Sequence, residues 1–132
     1  MVIIEGRIHG KQRPRYFNGR AITPKNTVNY ENWIRINYRE QDGRYIEGPI
    51  EARIFVYHKV PKSYSKKRIE AIREGLEYPT KKPDLDNIVK VILDSLNGIA
   101  YKDDSQVVKL IVLKKWTEGI ERIEFGLESF KG

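Results

Sequence analysis

Cysteine is absent from the 132 residues, which excludes disulfides and thiolate metal sites and agrees with a reducing compartment. Histidine is scarce: His9 and His58 stand far apart with no metal-ligand spacing between them, so each reads as a surface or strand residue. Long apolar runs are missing too. The opening "MVIIEGRIHGKQRPR" holds only a short apolar run before Glu5, too little for the apolar region of a secretory signal. No segment approaches the length of a membrane span, so a soluble cytoplasmic protein with no membrane partner is expected. Neither G-x-S-x-G nor G-x-x-x-x-G-K-[ST] occurs, which leaves serine-hydrolase and P-loop chemistry without their motifs. With no repeat, linker or low-complexity stretch, residues 1–132 read as one domain around one core.

Charge is what the chain has in plenty. Charged residues make up 33% and apolar residues 39%, with a net charge of +7, the balance of a folded domain and not of a disordered tail. Residues 1–44 hold nine Lys/Arg against four Asp/Glu, and residues 57–83 eight against three. Residues 84–132 reverse the sign, with seven basic and nine acidic groups. Basic blocks of this kind are the footprint of a polyanionic partner or, more simply, a solvated surface.

The apolar periodicity predicts an α+β domain: a mixed β-sheet with helices mainly on one face, in the order β-α-β-α-α-β-β. "VIIEGRI" reads as the first strand, and "GKQRPRYFNGRAITP" as a basic loop with a turn at Asn18-Gly19. Thr23 and Pro24 suit the N-cap and first position of a helix that carries Tyr30, Trp33, Ile34 and Asn37 at helical spacing. Tyr30, Trp33 and Tyr38 suit either the core or a subunit interface. "PIEARIFVYHKVP" alternates as a strand, with Ile50, Ala52, Ile54 and Val56 on one side. "SYSKKRIEAIREG" reads as a short basic helix from Ser63 or Ser65 to Gly75. After the helix of residues 84–97, segments 104–116 and 119–130 read as two strands joined at Thr117–Gly119, a predicted hairpin.

"KKPDLDNIVKVILDSLNGIAYKDDSQVV" places the pairs Asp84/Asp86 and Asp103/Asp104 beside a lysine-rich run. Leu85, Ile88, Val89, Ile92, Leu93 and Leu96 form the expected core face of its helix, with Asp86, Lys90, Asp94 and Asn97 on the opposite stripe. Asp84 near the N-cap and an Asp86–Lys90 ion pair need no function. The second pair follows a turn and precedes a strand, so Asp103 or Asp104 is expected to return toward Asp84 and Asp86. Gathered carboxylates repel unless a cation holds them, and all-oxygen ligands suit Mg²⁺ or Mn²⁺. A divalent ion between acids and a phosphodiester reconciles an acidic cluster with a basic chain.

"KPDLDN…K…LD.LNG.AY.DDSQV" resembles the RusA family of Holliday-junction resolvases, small endodeoxyribonucleases of bacteria and prophages acting in DNA recombination and repair. "GKQRPR", "TPKNTVNYE" and "PKSYSKKRIEAIREGLEYPTKKPDLDN" follow that family's pattern in the same order, over roughly residues 3 to 115. The resemblance implies that Asp84, Asp86 and Asp104 are catalytic metal ligands and that Lys90 is the family's essential lysine. It also implies that Asn87 and Asp103 support them, with Asp103 and Asp104 the softest choice. Lys11, Arg13, Arg15, Lys66, Lys67 and Arg68 would grip DNA phosphates. The implied activity is Mg²⁺-dependent hydrolysis, with Mn²⁺ as substitute, by a homodimer that nicks four-way DNA junctions symmetrically. The contrasting readings are a non-catalytic module that binds branched or duplex DNA and, with less support, a D-x-D phosphotransferase.

Overall fold

The computed structural model describes residues 1–12, 15–22 and 25–132. Alternation builds the sheet. Strand β1 (Val2–Glu5) buries Val2 and Ile4, and β4 (Ile50–Lys59) buries every second residue from Ile50 to His58. Strand β6 (Arg122–Ser129) buries Ile123, Phe125 and Leu127. With β5 (Val107–Thr117) these form a four-stranded mixed sheet in the order β1-β6-β4-β5. Helix α1 (Lys25–Gln41) and helix α3 (Leu85–Ser95) supply Tyr30, Ile34, Tyr38, Ile88, Val91 and Ile92 to the same core. Each large aliphatic side chain so buried stabilises the fold by roughly 1.5–3 kcal/mol.

The expected hairpin of the last two strands does not form. Strand β5 pairs with β4 in parallel and β6 pairs with β4 antiparallel, so β4 separates the two. The parallel partner requires a long crossover, and residues 60–106 provide it through α2 (Lys66–Arg73) and α3. Segment 104–106, read as the start of that strand, is instead a 3₁₀ turn. A second difference is an added hairpin, β2 (Arg15–Phe17) with β3 (Arg20–Ile22), across Asn18-Gly19. Both turn residues have positive φ, 49° and 74°, the type I′ pattern that matches strand twist. The element order otherwise follows the reading from sequence.

Tyr30 and Tyr38 lie in the core, whereas Trp33 is exposed, its Nε1 donating to the Glu5 carbonyl at 3.1 Å. The N-cap reading of Thr23-Pro24 falls outside the described residues. Ser65 caps α2 by accepting from the Arg68 amide, and Gly75 stops that segment at φ 74°.

Candidate catalytic face on helix α3

Helix α3 begins directly after Pro83, because proline disfavours helical backbone in the residue before it. Asp84 occupies the N-cap with extended backbone, and its carbonyl accepts from the Ile88 amide at 3.1 Å. Its carboxylate, however, makes no capping bond. Asp86 sits exposed in the first turn. One turn on, Lys90 is exposed and, among the described residues, joins no ion pair, so the expected Asp86–Lys90 contact is not made. Asp94 and Asn97 continue the stripe. The buried face opposite centres on Ile88, Val91, Ile92 and Ser95, with Leu85, Val89 and Leu93 only partly covered.

The chain then folds back on the end of α3. Gly98 turns in the left-handed region at φ 76°, Ala100 and Tyr101 are buried, and the Tyr101 hydroxyl donates to the Leu93 carbonyl at 2.7 Å. This anchor places Asp103 and Asp104 differently. The Asp103 carboxylate accepts from the Ser105 amide at 3.0 Å, and Gln106 returns the contact by accepting from the Asp103 amide at 3.1 Å. Asp103 is therefore a capping residue, and those hydrogen bonds hold its carboxyl below the usual range. Asp104 instead lies against Asp94 and Asn97. Partial burial, then the neighbouring carboxyls of Asp94 and Asp103, push its carboxyl up.

Asp86 and Asp94 are eight positions apart on one helix, about 12 Å along its axis. The acids thus form two groups, Asp84 with Asp86 at the start of α3 and Asp94 with Asp104 at its end, with Lys90 midway. Among the described residues, no three His, Asp or Glu gather closely enough to cage a metal. The donor set is nonetheless all oxygen, and the unengaged Asp84 and Asp86 carboxylates suit a hard divalent cation that keeps most of its waters.

A second segment docks on this helix. Gly10 packs so tightly that a Cβ there would meet Asn87 Cβ at 2.9 Å and Pro83 Cβ at 3.0 Å. Beside it the Lys11 amide donates to the Asn87 carbonyl at 2.9 Å. Asn87 thereby serves as the landing point of the "GKQ" segment. The Lys11 ammonium reaches Asp94 at 3.4 Å and the nearly buried Glu31 at 3.5 Å, which ties it to the acids of α3. Between this segment and the α3 start lies a cavity of about 360 Å³, bordered by Arg7, Lys81, Lys82 and Asp84. His58 lies in its wall, buried, with neither ring nitrogen hydrogen-bonded and Nδ1 4.0 Å from the Glu121 carboxylate. Burial pushes its pKa down from the usual imidazole value, against the opposing pull of the Glu121 carboxylate.

The remaining basic residues divide. Lys66 and Lys67 are exposed and, among the described residues, unpaired. Arg68 is held by Glu77 at 2.7 Å and stacks on Tyr64. Arg13 lies outside the described residues, and Arg15 is described only as part of β2. Sequence reasoning passed over Asp94 as a partner of Asp104, and over Glu31, a buried acid on α1. Asp94 was visible on the polar stripe; nothing local marked Glu31.

The sequence pattern of the family described as "Endodeoxyribonuclease RusA" matches residues 5–128. A curated protein of Bacillus subtilis (strain 168), "Uncharacterized protein YqaN", is 51% identical over 75 residues. That alignment takes in 55% of this chain and 53% of the relative, so the chain spans about half the length of the curated protein it matches. The family match covers nearly the whole chain, including the docked Lys11 segment, the acids of α3 and the Asp103–Asp104 turn. The chain belongs to the RusA endodeoxyribonuclease family.

Proposed function

We propose that this protein is a divalent-metal-dependent endonuclease of the cytoplasm that acts on branched DNA, nicking four-way junctions in opposed strands as a homodimer. The observation that carries this reading is the idleness of two groups on α3. Asp84 stands at an N-cap without capping, and Lys90 stands one turn from two acids without pairing. A helix that needed these residues only for its own stability would use them.

Asp84 and Asp86 at the start of α3, and Asp104 at its end, are the carboxylates that would hold Mg²⁺, or Mn²⁺ in its place, as two separate donor groups and not as one cage. Such an ion supplies Lewis-acid polarisation of a phosphodiester and a bound water of lowered pKa. Lys90, between the two acidic groups, is placed to meet charge that develops on a phosphate laid along α3. Asn87 fixes the Gly10–Lys11 segment against the helix start, and Lys11 holds Asp94 in place beside Asp104. Asp103 shapes the turn that presents Asp104. Lys66 and Lys67 supply free positive charge for flanking phosphates, as do Arg13 and Arg15 by sequence position, while Arg68 contributes through a guanidinium already shared with Glu77.

The test is a synthetic four-way junction labelled on opposed strands, incubated with and without Mg²⁺ beside linear duplex of the same sequence. Symmetric nicks on the junction, dependent on Mg²⁺ and lost in Asp86→Asn, are the expected result. Tight junction binding with no cleavage under any divalent cation would overturn the proposal in favour of a binding module.

A further inference from the structure

Strand β5 ends the sheet, and among the described residues nothing pairs with its outer edge. The opposite edge is closed. Strand β1 is only four residues long, and the Gln41 amide covers it, accepting from the Ile3 amide at 2.7 Å and donating to the Ile3 carbonyl at 2.9 Å. Strand β5 runs 11 residues without proline or glycine, the kind of open edge that templates another strand. Its apolar side chains remain exposed on both faces. Leu110 lies on the helix-covered side opposite Ala52, while Ile111 and Leu113 lie on the other, opposite Arg53 and Phe55. Val108 is 58% exposed, and nearby Val89 and Leu93 of α3 are only partly covered.

We propose that β5 pairs antiparallel with β5 of a second copy about a two-fold axis, joining the two sheets into one. The strand's own pattern selects this occupant. Antiparallel partners share a face, so a two-fold pairing centres on a residue. Centred on Ile111, it sets Ile111 on its own copy, Leu110 opposite Val112, and the stem of Lys109 opposite Leu113. Centred on Leu110, it sets Leu110 on its copy and Val108 opposite Val112. Neither brings lysine against lysine. Moving the centre to Lys109 or Val112 would, since Lys109 then faces Lys109 or Lys115, and directly opposed like charges destabilise. The Lys109 ammonium is already held by Glu51 at 3.0 Å. A two-fold axis normal to the sheet leaves both copies of α3 on one side, so the two candidate catalytic faces meet one substrate. This last consequence rests on the endonuclease reading; the pairing itself does not.

The absence of cysteine makes the test direct. Ile111→Cys and Leu110→Cys, each the only thiol in its chain, are oxidised without DNA or metal, beside Ile36→Cys on the exposed side of α1 as control. The expected result is a disulfide-linked dimer from at least one of the strand variants and none from the control. Light scattering should give wild type a mass twice the 15.5 kDa of the chain, and Leu110→Lys/Ile111→Lys a single chain mass with a melt that stays cooperative and, unlike that of wild type, does not depend on protein concentration. A monomeric wild type, a dimer that cross-links at neither position, or a double-lysine variant that stays dimeric would overturn the interface. A β5-linked dimer without nuclease activity would uphold it while refuting the function proposed above.

Discussion

A methyl group added at Gly10 measures how firmly the Lys11 segment is docked on α3. The backbone of Gly10 is not among the positive-φ glycines, so alanine brings no conformational strain, only volume. Its Cβ would stand 2.9 Å from Asn87 Cβ and 3.0 Å from Pro83 Cβ, well inside contact distance, and neither neighbour is the free end of a flexible side chain. Overpacking of this kind costs typically 1–3 kcal/mol. If the segment lifts away instead, it forfeits the hydrogen bond from the Lys11 amide to the Asn87 carbonyl, a loss of about 1 kcal/mol. Both routes destabilise, and for a domain of this size each kcal/mol lowers Tm by roughly 3–5 °C. Thermal melts should therefore place Gly10→Ala about 5–10 °C below wild type. Hydrogen exchange should show the Lys11 amide losing protection ahead of the α1 amides. An unchanged Tm with Lys11 still protected would refute the docking and, with it, the argument that Lys11 is held at Asp94.

Asp103→Asn should keep most cleavage, because asparagine caps as well as aspartate, whereas Asp104→Asn should lose it; single-turnover rates on the junction compare them. Burial, then the neighbouring carboxyls, raise the Asp104 pKa, so protons compete with metal there to a higher pH than at an ordinary aspartate. Asp94→Asn removes one such neighbour, and the acid limb of its pH–rate profile should move to lower pH; a move to higher pH would contradict the assignment. Asp42 is held below the usual carboxylate range by Arg44, with an Oδ1–Nε distance of 2.8 Å. That ion pair stabilises the fold above the unfolded aspartate pKa, and its contribution fades as pH falls through the lower folded value. Asp42→Asn should therefore flatten the acid side of the stability profile in urea melts. Lys66→Ala/Lys67→Ala should weaken junction binding and reduce its log–log salt slope by roughly 0.9 for each phosphate left without its lysine; an unchanged slope would place α2 away from DNA.

Much of this arrangement was legible because it is local. The alternation from Ile50 to Val56 marked a half-buried strand, Ser65 and Gly75 bracketed α2, and Pro83 with Asp84 marked the start of α3. What escaped was set by pairing across the chain. The pattern of 107–117 is that of a strand whichever neighbour it takes, and a turn at Thr117–Gly119 looks the same whether its strands pair or straddle a third. Residues Arg15–Phe17 and Arg20–Ile22 are too short to show a period, so only Asn18-Gly19 announced their hairpin. In the candidate site, Asp84, Asp86, Lys90 and Asp104 stood out by spacing and resemblance. The division of labour between Asp103 and Asp104 depended on where Gly98 and Tyr101 return the chain. The link from Lys11 to Asp94 and Glu31 joins three separate segments, which no local pattern encodes.

The most direct test of the account is a titration of Mn²⁺, followed by its electron paramagnetic resonance signal, against the wild-type protein, Asp86→Asn and Asp103→Asn without DNA. If the idle carboxylates of α3 are metal donors, the wild type should quench the free-ion signal in a saturable way and Asp103→Asn should nearly match it. Asp86→Asn should bind at least tenfold more weakly, a change of about 1.4 kcal/mol. Equal binding by wild type and Asp86→Asn, or none by either, would contradict the claim that the acidic face of α3 exists to hold a divalent cation.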